Sequence, residues 1–451
     1  MESSNYVSTT NACKLCTPLG ASLAFRGIED CVPFLHGSQG CATYMRRYII
    51  SHFREPMDIA SSALGEKQAV FGGGPNLKKG LLNVMKKYGA KVVGVATTCL
   101  TETIGDDVPS ILDEFRKEFA DLPLPAIVHA ATPSYSGTHA DGWREAMRAT
   151  VDALVVDQVE ANGTVNIFPS LISCEDTRHL KDIFTSYGVK ATILPDLSET
   201  LDGPVLEDYR PIPSGGTPLS AIRAMSGARA SIELGRTLAG LPTAGRVLAD
   251  RFAIPRHSLG LPIGLRETDA LCKVLEELSG REMPREMQLE RGRLVDALVD
   301  GHKYIFGKRA VVYGEEDLVI GLVSFLSEIG VRPVLAATGG KGKAFGRAIE
   351  AVTRDILPEP CRAVEGVDFH DIAEQAQELA PDLMVGHSKG YSYAKEWNVP
   401  LVRVGFPIHD RFGGQRTLHV GYRGAQTMLD RVINAVLDKT QTDNPIGYGY
   451  L

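Results

Sequence analysis

Three cysteines stand among glycines or at a predicted strand end, where a thiolate could reach a ligand. Cys16 lies in NACKLCTPLG, Cys41 lies in HGSQGC, and Cys99 closely follows the predicted strand 91–97. Glycine-shaped loops at strand ends allow backbone amides to approach a ligand closely. Thiolate sulfur is the soft ligand that iron–sulfur clusters need, and amides that point at the sulfur atoms tune such clusters. The three cysteines are therefore candidate ligands of an iron–sulfur cluster.

The set is incomplete for a four-iron cubane, which normally takes four thiolates. The missing ligand could come from a side-chain oxygen, a further cysteine or another chain, so a cluster shared across a subunit interface is one interpretation. The long gaps match no short ferredoxin motif, and buried unreactive cysteines are the competing interpretation. Cys13 forms Cys-x-x-Cys with Cys16, but the sequence has no second such pair, so Cys13 is interpreted as packing or as a spare ligand. The other cysteines are expected to be structural: Cys31, Cys174, Cys272 and Cys361.

The composition predicts a globular, non-membrane protein of several domains. The chain has 451 residues, 44% of them hydrophobic and 23% charged, which suggests about three domains. Its net charge of −7 argues against nucleic acid as the main partner. No apolar run is long enough to span a bilayer and no secretory signal is evident, so we expect a cytoplasmic protein with reduced thiols.

The elements that must position the cysteines alternate between short apolar strands and amphipathic helices. This alternation predicts an α/β fold of three Rossmann-like, doubly wound domains with parallel sheets, at 1–155, 156–305 and 306–451. A loop rich in proline and glycine is expected at 203–218. The predicted strands are 91–97, 126–130, 164–169, 190–195, 309–314, 332–338, 382–387 and 400–405. The predicted helices are 77–88, 109–119, 178–187, 288–300 and 317–328.

Several motifs together carry a family resemblance that runs from about residue 11 to the GYRG at 421–424. The segments CTPLGASLAFRGIEDCVPFLHGSQGC, AVFGGGPNLKKGL, ATTCLTETIGDD and ATPSYSGTHADGW resemble nitrogenase component 1. More narrowly, they resemble its β subunit and the paralogous N subunit of the cofactor-maturation scaffold. The resemblance implies a nitrogen-fixation protein in which this chain pairs with a homologous subunit in an α2β2-like heterotetramer.

The resemblance also implies roles for five residues. It implies that Cys16, Cys41 and Cys99 ligate the β side of an eight-iron P-cluster, with Ser134 of TPSYSG as an additional oxygen ligand. It places Phe71 of AVFGG on the face where the ATP-dependent iron protein docks. The chain itself lacks a full phosphate-loop pattern, which agrees with ATP chemistry in a separate partner.

Other residues receive structural interpretations. Cys272 lies in a helical pattern and the late histidines lack the context of a cofactor-bearing α subunit, so this chain is not expected to ligate the catalytic cofactor. His36 is interpreted as a hydrogen-bonding anchor for the HGSQGC turn, because buried polar groups are usually paired. The acidic group after Cys99 is interpreted as a helix N-terminal charge cluster, and its members are Glu102, Asp106 and Asp107.

Three functions remain open on the sequence. The favoured one is an N-type scaffold subunit that pairs with an E-type subunit, shares an interfacial iron–sulfur cluster of four or eight irons, and transiently holds a cofactor precursor. The first alternative is the β subunit of a nitrogenase or nitrogenase-like reductase, an oxidoreductase in which the chain carries half of a P-cluster as an electron relay. The second alternative is a metal-free α/β ligand-binding protein, because the fold does not fix the function.

Overall fold

The chain folds around three parallel β-sheets flanked by helices. The structure is a computed structural model, and it describes residues 11–135, 137–157, 159–208 and 210–446. Within these residues every strand pair is parallel. The strands of the first sheet fall within residues 31–130, those of the second within 165–259 and those of the third within 309–403. The predicted α/β fold with three Rossmann-like units is confirmed. Each sheet lies inside one predicted domain range, while the boundaries themselves stay a prediction.

The first sheet has the order β2-β1-β3-β4. Its strands are β1 (Cys31–His36), β2 (Ala60–Ser61), β3 (Val92–Thr97) and β4 (Ala126–Ala130). The helices of this part of the chain are α1 (Thr17–Arg26), α2 (Gln39–Phe53), α3 (Glu66–Phe71), α4 (Gly74–Tyr88), α5 (Cys99–Ile104), α6 (Val108–Glu118) and α7 (His139–Leu154). The strands β1 and β3 are buried along their whole length, as expected for a parallel sheet covered on both faces.

The second sheet has the order β6-β5-β7-β8. Its strands are β5 (Val165–Pro169), β6 (Ala191–Ile193), β7 (Ala230–Leu234) and β8 (Arg256–Leu259). The accompanying helices are α8 (Cys174–Ser186), α9 (Leu219–Arg223), α10 (Ala244–Phe252), α11 (Leu265–Ser279) and α12 (Arg285–Ile305). The described part of the predicted loop 203–218 contains neither helix nor strand, apart from an isolated bridge between Thr217 and Ile28.

The third sheet has the order β11-β10-β9-β12-β13. Its strands are β9 (Arg309–Gly314), β10 (Arg332–Thr338), β11 (Arg362–Glu365), β12 (Leu383–Gly386) and β13 (Leu401–Arg403). The accompanying helices are α13 (Glu316–Glu328), α14 (Phe345–Thr353), α15 (Phe369–Gln377), α16 (Tyr391–Glu396) and α17 (Gly421–Asp443). Short 3-10 turns at 225–227, 236–240, 388–390 and 414–416 complete the regular structure of the described residues.

Each sheet has one point where the strand order reverses, and these points locate the possible ligand crevices. The reversal falls between β1 and β3 in the first sheet, between β5 and β7 in the second, and between β9 and β12 in the third. Doubly wound sheets bind ligands outside the carboxyl ends of the strands at such a reversal. The residues that follow β1 and β3 therefore occupy the favoured position in the first sheet.

The apolar cores are continuous between the sheets. One buried cluster joins strands of the second and third sheets, for example Ile232 with Val312, and reaches Met428 of α17. A second cluster joins the first sheet to Phe168 and Leu248 of the middle region. This continuity fixes the three sheets relative to one another, because close-packed interiors resist sliding.

Candidate metal centre

Three of the four proposed ligands follow adjacent strands of the first sheet. Cys41 lies in the first turn of α2, after β1; Cys99 is the first residue of α5, after β3; and Ser134 follows β4. Because these strands are parallel neighbours, their carboxyl ends meet at one edge. Cys41 and Cys99 thus flank the reversal between β1 and β3.

The turns after β1 and β3 are bonded directly to each other. The backbone N–H of Thr98 donates to the carbonyl of His36 at 3.1 Å. The hydroxyl of Thr101 donates to the same carbonyl at 2.9 Å. These bonds hold the start of α5 beside the segment that carries Cys41, so the position of Cys99 is fixed by the strand ends.

Cys16 reaches the same edge through the packing of α1 on α7. A Cβ atom on Gly20 would lie 1.7 Å from the carbonyl oxygen of His139, and one on Gly142 would lie 1.8 Å from that of Thr17. The two glycines therefore allow a helix contact that no larger residue permits. Cys16 is the N-cap residue of α1, and the following amide, of Thr17, donates to Ser134 Oγ at 3.0 Å.

The other two proposed thiolate ligands both influence the pKa of Cys16. Partial desolvation raises the pKa of the Cys16 thiol, while a hydrogen bond with Ser134 lowers it. Negative charge on Cys41 and on Cys99 raises the pKa further, and the ammonium of Lys389 lowers it. The fold thus brings the predicted ligands within electrostatic range of one another from segments that are far apart in the sequence.

Two donors point at the sulfur atoms. The backbone N–H of Ser134 donates to Cys99 Sγ at 3.3 Å, and the Ser38 hydroxyl donates to Cys41 Sγ at 3.5 Å. Hydrogen bonds to sulfur are among the features that tune iron–sulfur clusters. Within the described residues, no group of three His, Cys, Asp or Glu side chains is placed to hold a metal ion.

His36 anchors the turn that carries Cys41, as the sequence predicted. Its Nδ1 lies 2.9 Å from Ser62 Oγ, which also accepts the N–H of Gly37. Its Nε2 lies 3.0 Å from Asp106 Oδ2. Burial lowers the pKa of His36, although Asp106 acts in the opposite direction. The histidine therefore has both ring nitrogens engaged within the protein and is a structural group.

The acidic residues after Cys99 have separate structural roles. Asp107 is the N-cap of α6 and accepts the N–H of Ser110 at 3.1 Å. Asp106 accepts from Gly73 as well as contacting His36, and Glu102 accepts from the Thr97 hydroxyl. Glu102 lies in the first turn of α5 and Asp107 caps α6, so two of the three stand at helix N-termini as predicted, whereas Asp106 bonds to His36 and Gly73.

Two further cysteines, Cys13 and Cys272, are buried in apolar clusters. Cys13 is buried against Tyr313 and Phe369, and burial raises its pKa to about 12, which makes it a packing residue. Cys272 is buried in α11, where the Tyr422 hydroxyl lies 3.6 Å from its Sγ. Both positions agree with the structural roles predicted for these thiols.

Phe71 is strongly exposed and lies on a helix next to the centre. It is the last residue of α3, which contacts α5, the helix that begins with Cys99. Its exposed fraction is 79%, and the adjacent Val70 is 75% exposed. Exposed apolar side chains in a group are typical of contact surfaces for other molecules.

Lys389 and Ser38 are the residues near the centre that the sequence analysis missed. Ser38 stands within HGSQGC, so its proximity to Cys41 could have been inferred from the motif. Lys389 is more than 370 residues from Cys16 in the chain, and no local pattern signals its approach.

Among the described helices, none combines the length and apolar character that a bilayer crossing requires.

Known proteins resemble this chain over almost its whole length. A family model described as "Nitrogenase component 1 type Oxidoreductase" matches residues 16–437. The nitrogenase molybdenum-iron protein beta chain of Clostridium pasteurianum is 34% identical over 434 residues, which cover 96% of this chain and 94% of that one. The nitrogenase vanadium-iron protein beta chain of Trichormus variabilis is 35% identical over 433 residues, which cover 93% and 92%.

A solved structure described as "Nitrogenase Cp1 at pH 6.5" matches with a TM-score of 0.95 and 31% identity, covering 100% of this chain and 98% of that chain. Both sequence relatives named above are β chains, so the comparisons favour the β-subunit alternative over the scaffold subunit that the sequence analysis preferred. With the family model and these relatives covering most of its length, the chain belongs to the nitrogenase component 1 type oxidoreductase family.

Proposed function

We propose that this chain is the β-type subunit of a nitrogenase component 1 assembly and holds one side of an iron–sulfur cluster. Cys16, Cys41 and Cys99 would supply thiolates, and Ser134 would supply an oxygen. The observation that carries this proposal is their convergence at the carboxyl edge of the first sheet, where Ser134 contacts the Cys16–Thr17 segment and Cys99. Such a cluster supplies reversible one-electron storage when bound.

The donors fit an iron–sulfur group better than a single ion. Cysteine sulfur suits iron–sulfur clusters, and the contacts from Ser134 N and Ser38 Oγ provide the hydrogen bonds to sulfur that tune them. Cys16 is exposed, and Cys41 and Cys99 are partly exposed, so a ligand can approach the sulfurs from outside the chain. The three cysteines fall one short of the four thiolates that a four-iron cluster normally takes, and an eight-iron cluster needs still more ligands, which we propose come from a second subunit.

The surface around the centre supports contact with a homologous α-type chain. Tyr44, three residues beyond Cys41, is 66% exposed, and Tyr135, next to Ser134, is 67% exposed. Tyrosine is enriched in protein interfaces because it combines a large apolar body with a polar end. We propose that this face closes against the partner in an α2β2-like heterotetramer, with the cluster between the two chains.

The first prediction tests the ligand set. Cys41→Ala should remove most of the iron from the complex and weaken subunit pairing, because thiolate ligation contributes assembly energy that alanine cannot supply. The measurement is iron per complex after anaerobic purification with the partner chain, together with size-exclusion chromatography. Cys272→Ala is the matched control, since Cys272 is buried in α11 away from the centre. Equal iron contents in the two variants would refute the assignment.

The second prediction tests the proposed docking face for an iron protein. Phe71→Ala should weaken association with the reductase about tenfold without changing the iron content, because one exposed aromatic residue can anchor a transient interface. The measurement is the rate of electron delivery at varied reductase concentration. Phe306→Ala, which also removes an exposed phenylalanine (68% exposed), is the control. If Phe71→Ala leaves the rate of electron delivery unchanged, this face is not the docking site of the iron protein.

The partner, the iron content and the reductase activity of the same purified complex distinguish the three functions that the sequence left open. Reduction of a small substrate with an α-type partner supports the β-subunit proposal. An E-type partner, with iron but no substrate reduction, would instead indicate the N-type scaffold. A colourless, iron-free complex would favour the metal-free alternative.

A further inference from the structure

The crevice of the third sheet is filled by the chain's own N-terminal strap, which we define as residues 11–16. Cys13 lies at the carboxyl ends of β9 and β10, in the same buried cluster as Tyr313, and its sulfur is hydrogen-bonded to backbone at Gly314 and Gly339. Ala12 forms an antiparallel bridge with Asp368, and the N–H of Phe369 donates to the Asn11 carbonyl at 3.3 Å. The strap therefore occupies the position where a doubly wound sheet usually binds a ligand.

Lys389 closes this crevice over the strap. It follows β12, on the other side of the strand reversal from β9. Its Nζ donates to the carbonyl of Ala12 at 2.8 Å, and its own carbonyl accepts from the Asn11 side chain at 3.3 Å. The lysine is thus bonded to the strap at both its side chain and its backbone.

The other end of the strap is attached to the first sheet. The Leu15 N–H donates to His139 Nδ1 at 3.3 Å, and the Lys14 Nζ lies 3.5 Å from the Gly137 carbonyl. Cys16 comes next. The strap therefore connects the crevice of the third sheet to Cys16, the proposed cluster ligand, and the hydrogen bonds of Lys389 hold the strap in that crevice.

The charge of Lys389 acts on the thiols as well. Burial lowers the pKa of Lys389, while Cys13 and Cys16 raise it, so the ammonium lies within electrostatic range of both sulfurs. It is flanked by the ring of Tyr48, whose centroid is 6.0 Å from Nζ. In a half-buried setting such a charge interacts more strongly than it would in water.

We propose that Lys389 is a positioning residue for the Cys16 side of the metal centre: it fastens the strap and places a positive charge beside the thiolates. This inference rests on the proposed function. A positive charge stabilises the reduced form of a cluster, which is the more negative one, and raises its reduction potential. Loss of the hydrogen bond from Lys389 to Ala12 makes the position of Cys16 less fixed. Groups that orient a metal ligand typically contribute about 10–100-fold to metal affinity.

The test uses the complex of the full chain with its partner, purified anaerobically. Lys389→Met removes the charge and the bond to Ala12, Lys389→Gln keeps a donor without the charge, and Lys389→Arg keeps both. Lys395→Met, on the exposed side of α16, is the matched control. The readouts are the reduction potential from titration monitored by electron paramagnetic resonance, and the rate of iron removal by a chelator.

We expect a lower potential in Lys389→Met and Lys389→Gln, and iron removal about tenfold faster in Lys389→Met. Lys389→Arg and Lys395→Met should stay near the wild type. If the Lys389→Met complex does not assemble, the reduction potential of the cluster in Lys389→Gln tests the inference instead. Wild-type potential in the neutral variants overturns the inference while the proposed function stands. A wild-type complex without iron overturns the proposed function instead.

Discussion

Asp176 connects two distant parts of the chain through one buried carboxylate. It accepts the N–H groups of His419 and Val420 at 2.6 and 3.1 Å, and its Oδ2 lies 2.7 Å from His419 Nδ1. Burial acts to raise its pKa, but the charge and hydrogen bonds of His419 prevail and hold the pKa below its ordinary value. The carboxylate therefore fastens the start of α17 to α8.

This contact gives the third prediction, a loss of stability in acid. A lowered carboxyl pKa contributes stability above the unfolded pKa, and the contribution disappears as the pH falls through the folded pKa. Asp176→Asn should lower the free energy of unfolding by about 3 kcal/mol at neutral pH and reduce its decline in acid, because the variant loses the negative charge and the second oxygen, which faces His419 Nδ1. Denaturant unfolding at pH 3 to 7 measures both effects.

Asp438→Asn on the exposed side of α17 serves as the control for this change. If the two variants were equally stable at neutral pH, Asp176 would have no clamping role.

Residue types alone suggested part of the proposed centre. Cys16, Cys41 and Cys99 were evident because a thiol beside glycines or at a strand end is open to a ligand, and Ser134 came from the family resemblance. Lys389 and Asp176 could not be predicted, since their partners lie more than 240 residues away and ordinary charged residues carry no signal of such contacts.

At the scale of elements, the contact between α1 and α7 determines where Cys16 lies. The fourth prediction is that Gly142→Ala destabilises the chain by about 1–3 kcal/mol and lowers the iron content, because the new methyl group meets the Thr17 backbone and pushes α1 away. Thermal unfolding and iron analysis measure the two effects.

Gly292→Ala provides a matched control within another helix. Gly292 lies inside α12, and a methyl group added to it would meet no other atom within 4 Å, so the change should be neutral or stabilise by about 0.5–1 kcal/mol. Comparable destabilisation in the two variants would contradict the packing argument.

All eight predicted strands exist, because continuous apolar runs mark buried parallel strands well. Five strands of the described residues escaped prediction. Of these, β1 (CVPFLH) is apolar and fully buried and was missed in spite of that pattern, whereas β2, β7, β8 and β11 lack it. Strand β2 has only two residues, β8 has the sequence RHSL, and β7 contains the buried Glu233. Glu233 is tolerated inside β7 because the Gly245 N–H donates to it at 2.9 Å and Arg256 pairs with it at 3.2 Å. These partners are supplied by the tertiary fold and are invisible in a local sequence window.

At the scale of the whole molecule, carboxyl groups gather where the three sheets meet. Asp317 accepts from the Thr237 N–H and hydroxyl and from the Ser170 hydroxyl, both of which follow strands of the second sheet. Burial, together with the charges of Asp141 and Asp317, raises the pKa of Glu316 to about 7. Burial also raises the pKa of Glu315 and of Asp317.

The fifth prediction concerns how the free energy of unfolding depends on pH as a result of these raised pKa values. Because these pKa values are raised, the folded chain binds more protons than the unfolded chain, and stability falls as the pH rises from about 4.5 through about 7. Glu316→Gln should flatten this decline, whereas Glu374→Gln on the surface should not. Unfolding free energies between pH 5 and 8 provide the measurement, and equal slopes in both variants would argue against the carboxyl cluster.

We propose that the three domains meet near residues 155 and 305, as the sequence suggested. The apolar cluster that joins the second and third sheets passes across residue 305, since Ile305 belongs to it together with Leu275 and Val432. Sequence periodicity indicated the units but not this shared interior, because contacts between units leave no local pattern.

The N-terminal strap has a consequence for the order in which the centre is built. The ribosome releases residues 11–16 early, but the crevice that receives them is formed by β9, β10 and the turn at 388–390, which emerge much later in translation. The contact between α1 and α7 can place Cys16 once the first sheet has folded, but the strap before it gains its contacts with Lys389 only after residue 389 has been synthesised. A truncated translation product that ends before Lys389 would therefore hold Cys16 less firmly than the finished polypeptide does.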